Sequence, residues 1–269
     1  VDGADATVLV VRPRAQAAAW VAELAALGTP ARALPLIEIL PAPVPAQVEQ
    51  AFAQAEACAA GAVFMFVSPN AVQGFFDAVA AGRGVAAQTL AWPAQARAAA
   101  TGPGTVAALR DCGVPADAIV APDPAAQQFD SESLWSVIAD WPWAGRPVWI
   151  VRGNGGRDWL GRQLRDAGAD VRFVQSYGRA APVLSADEQA LLAAALAAPA
   201  RWIWMFSSSE AIDHLQALGP GAQWAAGRAL ASHPRIAERA RALGFGSVTL
   251  VAPAAAAVSA AVASAHRPA

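Results

Sequence analysis

The sequence predicts an α/β protein made of two similar halves, each a parallel sheet flanked by helices. Three observations carry this. Short apolar runs end in turns and lead into helical patterns that stop at glycine. The same pattern returns 140 residues later in register. Of the 269 residues 56% are hydrophobic and 15% charged, enough apolar material for a sizeable core, and the length suits two units of about 130 residues.

The first strand is Thr7 to Val11 (TVLVV), closed by Arg12-Pro13. A helix follows, with Trp20, Val21, Leu24 and Leu27 on one face and Gly28 as its stop. The proline-bearing segment 33–44 is extended and reads as a crossing between lobes. Val63 to Val67 is a buried strand that opens into a helix through Ser68-Pro69-Asn70. Residues 97–100 form another, leading through Thr101-Gly102-Pro103-Gly104-Thr105 into a helix that carries Val106 and Leu109.

A shift of 140 carries Val8 onto Val148, Arg12 onto Arg152, Leu24 onto Leu164, Gly28 onto Gly168 and Arg32 onto Arg172. It also carries the run 63–67 and its serine turn onto Ile203 to Ser207 and Ser208-Ser209-Glu210. Past a nine-residue deletion the shift becomes 131, matching Pro103 to Pro234, Leu109 to Ala240, Gly113 to Gly244 and Val120-Ala121-Pro122 to Val251-Ala252-Pro253. A second extended segment, 173–183, stands where 33–44 stands in the first copy. The chain is therefore an internal duplication. Ligand sites of parallel sheets lie at the carboxyl ends of the strands, which directs attention to the turns after Val11, Val67, Val151 and Ser207.

Composition excludes several chemistries. All 19 basic residues are arginine against 21 acidic ones, a formal net charge of -2, which gives no general grip on nucleic acid. The absence of lysine removes Schiff-base chemistry, pyridoxal phosphate attachment and a P-loop lysine. Cys58 and Cys112 supply neither a metal quartet nor a disulfide framework and fit a reducing cytoplasm. His214, His233 and His266 are scattered, with no HxxxH, HExxH or CxxC spacing, so no metal site is expected. No GxSxG elbow supports a serine hydrolase. No export signal opens the chain, and the uncharged stretch 242–265 is too alanine-rich and too broken by Gly244, Gly246 and Pro253 to span a bilayer.

Candidate site residues follow from the turns. Ser68, Ser207 and Ser208 sit at helix starts, where a serine cap contributes about 1 kcal/mol and accounts for the hydroxyl by itself. Free amides there, carrying about half a positive charge, also suit a carboxylate or phosphate, and recurrence at equivalent positions favours a site drawn from both lobes. The glycines of the Gly102 to Thr105 turn permit close approach by a ligand, although the turn is neither a P-loop nor GxGxxG. Its second copy, Ser232-His233-Pro234-Arg235-Ile236, has lost the glycines and the threonine, so only the first copy presents Thr105. Tyr177, the sole tyrosine, lies in the second extended segment as packing with a polar tip or as a proton donor. Trp135, Trp141, Trp143 and Trp149 read as core packing, since no basic residues interleave them as in a nucleic-acid platform. Arg12 and Arg152 close equivalent strands, where a guanidinium can take a carboxylate bidentately or an intramolecular partner.

In order and spacing, Val10-Val11-Arg12-Pro13, Leu34-Pro35-Leu36-Ile37-Glu38, Val67-Ser68-Pro69-Asn70-Ala71-Val72, Gly102-Pro103-Gly104-Thr105, Tyr177 and Phe206-Ser207-Ser208-Ser209 resemble the uroporphyrinogen-III synthase family. Gly28, Gly113, Gly168 and Gly244 fall at that family's helix ends, so the resemblance covers almost the whole chain. It implies one lobe from residues 1–36 and 182–269 and another from 42–172, with 37–41 and 173–181 as linker strands in a two-stranded ladder, the copies having exchanged segments. It implies cyclisation of hydroxymethylbilane to uroporphyrinogen III, with loss of water and inversion of ring D in heme biosynthesis. A lyase of this kind uses neither metal nor organic cofactor, and the resemblance implies a cytoplasmic monomer without nucleic-acid or membrane partners.

By motif, Tyr177 becomes the acid that assists the departing hydroxyl, and Ser68, Thr105 and Ser208 become substrate contacts, with Gly102 and Ser207 in the same turns. Arg12 and Arg152 join them from the strand-end argument. The family's second Gly-Pro-x-Thr turn is His233-Pro234-Arg235-Ile236 here, so no threonine contact carries over, and His233 or Arg235 is the substitute donor. The rival reading is a two-lobed binding protein that holds an anionic small molecule without chemistry.

Overall fold

A computed structural model describes residues 6–123, 129–155 and 158–264. His266 and the ends of the sequence-predicted first lobe, 1–5 and 265–269, lie outside the described residues. The chain divides into two compact units, residues 1–38 with 180–269 and residues 39–179.

In chain order the elements begin with β1 (Thr7–Val10), α1 (Arg14–Ala26), β2 (Ala31–Ala33), β3 (Glu38–Pro41), α2 (Pro45–Glu56), β4 (Val63–Phe66) and α3 (Pro69–Arg83). They continue with β5 (Arg97–Ala100), α4 (Pro103–Asp111), β6 (Ile119–Val120), α5 (Ser131–Ile138), β7 (Pro147–Arg152), α6 (Trp159–Asp166), β8 (Asp170–Gln175) and β9 (Tyr177–Ala180). The last are α7 (Ala186–Ala197), β10 (Trp202–Phe206), α8 (Ser209–Leu218), β11 (Arg228–Ala231), α9 (Pro234–Leu243), β12 (Ser247–Leu250) and α10 (Ala255–Ser264).

Two parallel five-stranded sheets result, ordered β12-β11-β10-β1-β2 and β6-β5-β4-β7-β8, and β3 with β9 makes a small antiparallel sheet. Repeat-equivalent strands hold equivalent places. Val8 pairs with Ile203 in one sheet and Val148 with Val63 in the other, so each sheet joins a strand of one copy to a strand of the other. That is the segment exchange at residue level. Val8 with Ala31 and Val148 with Val171 repeat the match on the next strand.

The edge strands depart from the shift of 131. Ile119 pairs with Ala98, whereas its equivalent Leu250 pairs with Ala231, two residues beyond the position that the shift assigns. A slip of two preserves which face each side chain takes, and this is why the sheet tolerates it.

Alternation along each central strand builds a core on both faces. In β4, Phe64 and Phe66 join Phe52, Phe75 and Trp92 on one face, while Val63 and Met65 join Leu134, Ile138 and Leu164 on the other. In the other sheet Val8 and Val10 pack with Ala17, Leu24 and Val258, and Trp204 and Phe206 meet Trp224 and Phe245. One expectation needs correction. Leu27 lies beyond the last turn of α1 and is 49% exposed, so it takes no part in that helix's buried face. The tryptophans divide: Trp135, Trp141 and Trp143 stack together, but Trp149 stacks on Phe64 at 5.2 Å on the opposite face of the sheet.

Between β8 and β9 the chain turns at Ser176. Phe173 to Gln175 stay paired with β7, and the partner of β3 begins only at Tyr177. The chain passes between its two units within this small sheet, at residues 38–39 and again at 179–180.

Candidate active site

In the unit of residues 39–179 the carboxyl ends of β4, β5 and β7 carry the turns that matter. After β4, Ser68 is the N-cap of α3: its Oγ accepts the Ala71 N–H at 3.2 Å, and Pro69 follows at the first helical position, where a missing N–H costs nothing. The Tyr177 hydroxyl lies 3.3 Å from the same Oγ. Tyr177 is 5% exposed, its ring packed into the core while its oxygen meets the start of α3.

Glycines set this approach. A Cβ on Gly74 would stand 2.2 Å from the Ser176 carbonyl oxygen, so only glycine lets α3 come this close to the turn before Tyr177. A Cβ on Gly153, just after β7, would stand 2.7 Å from Tyr177 Cζ. Ser176 is fully buried, and its Oγ donates to the Ala71 carbonyl at 2.9 Å, tying the same turn to the first turn of α3.

After β5, Thr101 Oγ1 donates to the Val67 carbonyl at 3.3 Å and so joins this turn to the one before Ser68. Gly102 is the N-cap of α4 and offers no side-chain acceptor; its carbonyl takes the Thr105 and Val106 N–H groups at 3.0 and 3.1 Å, and this helix start has no side-chain cap. Thr105, in the first turn of the same helix, is buried at 3% exposure. Arg152, at the end of β7, lays its guanidinium 4.0 Å from the centre of the Phe173 ring.

In the other unit, Ser208 caps α8 by accepting the Glu210 N–H at 3.2 Å, with half-buried Ser207 before it. Arg12 stacks 4.7 Å from the Trp20 ring centre and donates to Gln16 at 3.4 Å; burial holds its pKa below the ordinary arginine value, and Glu23 pulls the other way. Among the described residues no salt bridge within 4 Å is seen for Arg12 or Arg152, and each guanidinium lies against an aromatic face. His233 caps α9, its Nδ1 accepting the Arg235 N–H at 3.2 Å, and both residues are exposed. The imidazole thus takes over the capping that Gly102 leaves undone in the first copy.

The repeat sharpens what is particular to Tyr177. The equivalent of Ser68 is Ser208, but the equivalent of Tyr177 is Ile37, so a phenol stands beside a serine-capped helix start in one copy only. Gly74 corresponds to His214, whose Nδ1 meets the Leu36 carbonyl at 2.6 Å, and Leu36 corresponds to Ser176. One copy bridges this gap with an imidazole, and the other closes it with a glycine. Among the described residues no three His, Cys, Asp or Glu side chains converge as a metal site would require, and no helix is long and apolar enough to cross a membrane.

The family model of uroporphyrinogen-III synthase HemD matches residues 18–260. The chain belongs to the uroporphyrinogen-III synthase family. Its activity is accordingly that of a heme-biosynthesis cyclase, a lyase, and the reading as a binding protein without chemistry is not favoured. No curated protein matches the sequence. Among solved structures, uroporphyrinogen-III synthetase from Helicobacter pylori aligns with a TM-score of 0.55 at 14% identity, over 97% of this chain and all of that one (100%). A mutant uroporphyrinogen III synthase from Thermus thermophilus aligns with a TM-score of 0.52 at 19% identity, over 91% of this chain and 92% of that one. At these identities the two structures speak for the fold.

Sequence reasoning missed what this synthase does around its tyrosine. Gly74 and Gly153 leave room for Tyr177 and the turn before it, Ser176 ties that turn to α3, and none of the three lies in a recognisable motif. The one available signal was the repeat, in which glycines at 74 and 153 replace His214 and Pro13.

Proposed function

We propose that this synthase cyclises hydroxymethylbilane to uroporphyrinogen III with Tyr177 as the group that assists departure of the terminal hydroxyl. The supporting observation is the 3.3 Å contact between the Tyr177 hydroxyl and Ser68 Oγ at the start of α3. As the substrate's C–O bond breaks, electrons from the adjacent pyrrole nitrogen form a protonated azafulvene that keeps its N–H, and the leaving oxygen takes a proton from the phenol and departs as water, so that the cation is balanced by the phenolate. Negative charge left on the phenol oxygen is met by the Ser68 hydroxyl and by the positive end of the α3 dipole.

The azafulvene is reactive by itself and closes spontaneously to the uninverted isomer, so the enzyme's main contribution is orientation of a flexible octacarboxylate. Amides and hydroxyls at Ser68, Gly102, Ser207 and Ser208, with the guanidinium groups of Arg12 and Arg152, are the proposed carboxylate partners. Thr105, buried at the same helix start, is a further proposed contact. Tyr177 also borders a largely apolar groove of about 390 Å³ beside α3, suited to the face of a pyrrole. The lobe limits belong to the same reading: 1–36 with 182–269, and 42–172, linked by 37–41 and 173–181. So do a cytoplasmic setting and a monomeric state.

The test supplies hydroxymethylbilane and separates type I from type III uroporphyrinogen after oxidation. Type III product is expected, and spontaneous type I alone would end the proposal. Tyr177→Phe should lower kcat by about 100-fold with little change in KM. Wild-type turnover in that variant would return Tyr177 to packing.

A further inference from the structure

The loop after β7 meets the strand that carries Tyr177 at two successive residues. Gly153 lies against the phenol ring, where a Cβ would come within 2.7 Å of Cζ. Asn154, next in sequence, uses both ends of its amide on one residue of β9: its Nδ2 donates to the Arg179 carbonyl at 3.0 Å, and its Oδ1 accepts the Arg179 N–H at 3.0 Å. A side-chain amide thereby bonds both the donor and the acceptor of one backbone position, as a neighbouring strand would.

Tyr177 and Arg179 are two apart on the strand, so fixing the backbone at 179 fixes the pitch of the strand at 177. The other side of Tyr177 is anchored independently, through the Ser176 N–H to the Arg152 carbonyl at 3.0 Å and the Ser176 Oγ to the Ala71 carbonyl at 2.9 Å. Without Asn154 the pairing of β9 with β3 and the Ser176 bonds remain, but the tie between this strand and the loop after β7 is lost at residue 179, and the strand gains freedom there. At a 3.3 Å contact, a displacement of even half an ångström breaks alignment with Ser68.

We propose that Asn154 is a positioning residue for the Tyr177 hydroxyl: its two hydrogen bonds to Arg179 hold the strand that sets the phenol against Ser68. This rests on the proposed role of Tyr177. Asn154 touches none of the proposed reacting groups and is exposed, so its replacement removes no core contact.

The sole tyrosine of the chain provides a readout apart from activity, because protein labelled with ζ-¹³C tyrosine gives one resonance, that of Tyr177. Asn154→Ala, Asn154→Asp, Tyr177→Phe and the double variant Asn154→Ala/Tyr177→Phe are compared as full-length proteins. Asn154→Ala is expected to shift or broaden the resonance without substrate and to lower kcat roughly tenfold at unchanged KM. Asn154→Asp keeps the acceptor and loses the donor, and should fall between wild type and the alanine variant. In the Tyr177→Phe background the alanine substitution should have no further effect on kcat.

An unmoved resonance in Asn154→Ala overturns the inference, as does a full kcat or a kcat loss that persists undiminished in the Tyr177→Phe background. Failure of the underlying reading is separate: it appears as wild-type kcat in Tyr177→Phe alone.

Discussion

Ser68 Oγ and the Tyr177 hydroxyl meet at 3.3 Å although 109 residues separate them in the chain. The same oxygen accepts the Ala71 N–H, so one serine both ends the exposure of a helix start and fixes the orientation of a phenol. Separating those duties is the first experimental aim. Ser68→Ala should lose about 1 kcal/mol of capping, a fall in Tm of roughly 2–4 °C, and also lower kcat several-fold. Ser68→Asn restores a cap without restoring a hydroxyl; stability should recover and kcat should not. Joint recovery would mean that the cap is all Ser68 contributes.

Gly74 and Gly153 both make room near Tyr177, but against different neighbours. Gly74→Ala sets a Cβ 2.2 Å from a backbone carbonyl, which cannot yield without moving α3, and about 1–3 kcal/mol of stability should be lost. Gly153→Ala meets a ring that can tilt, 2.7 Å away, so kcat should suffer more than Tm. Thermal melts beside steady-state kinetics distinguish the two, and equal patterns in both variants would contradict the assignment.

Glu188 gives the fold a pH-dependent cap. Its carboxylate accepts from Arg14 at 2.5 and 3.2 Å and from the Ser185 N–H at 2.9 Å, while Ser185 Oγ accepts the Glu188 N–H at 3.3 Å, a capping box at the start of α7. The Arg14 hydrogen bond, against some desolvation, holds the Glu188 pKa below its ordinary 4.5. Because the folded pKa is the lower one, this stabilisation is complete above the ordinary value and disappears as pH falls through the depressed one. Arg14 is 65% exposed, so the charge contributes only about 0.5–1 kcal/mol. Melts of wild type and Glu188→Gln should differ at pH 7 and converge as pH falls well below the ordinary carboxylate value. A gap that stays constant with pH would mean that the charge is not responsible.

Trp204 has no exposure, and its Nε1 has no hydrogen-bond partner among the described residues. Trp224 and Phe245 stand edge-on to it with ring centres at 6.0 and 6.4 Å. Trp204→Phe gives up volume but relieves a buried, unpaired N–H worth about 1–3 kcal/mol. Phe64 already fills the equivalent place in the other sheet. The net cost in urea unfolding should stay below about 1.5 kcal/mol, against about 3–5 kcal/mol for Trp204→Ala. Equal losses would point to an acceptor for the indole.

The repeat made the central strands readable in advance, because buried parallel strands leave continuous apolar runs such as 63–67 and 203–207 and the helices between them end at glycine. Edge strands were harder. Ser247–Leu250 is largely exposed, and its register follows from local packing that no run of residues announces. At the site, Ser68 and Ser208 were legible as helix starts since capping is a local property of sequence. The phenol beside Ser68 was not: that contact depends on how closely α3 approaches Ser176, which Gly74 decides and only folded coordinates reveal. Nor was the burial of Thr105 legible, since a motif specifies residue type and says nothing of exposure.

The sheet order β12-β11-β10-β1-β2 places the earliest of these strands to be synthesised next to one that leaves the ribosome almost 200 residues later, Val8 beside Ile203. Residues 39–179 are contiguous and can assemble while translation proceeds. The apolar run at Val8 to Val11 can pair early with β2, but its other edge stays open until β10 emerges, available in the meantime to chaperones or to aggregation. Nascent-chain maturation of this protein should therefore run from the middle of the polypeptide outward, with its amino-terminal segment among the last to find a home.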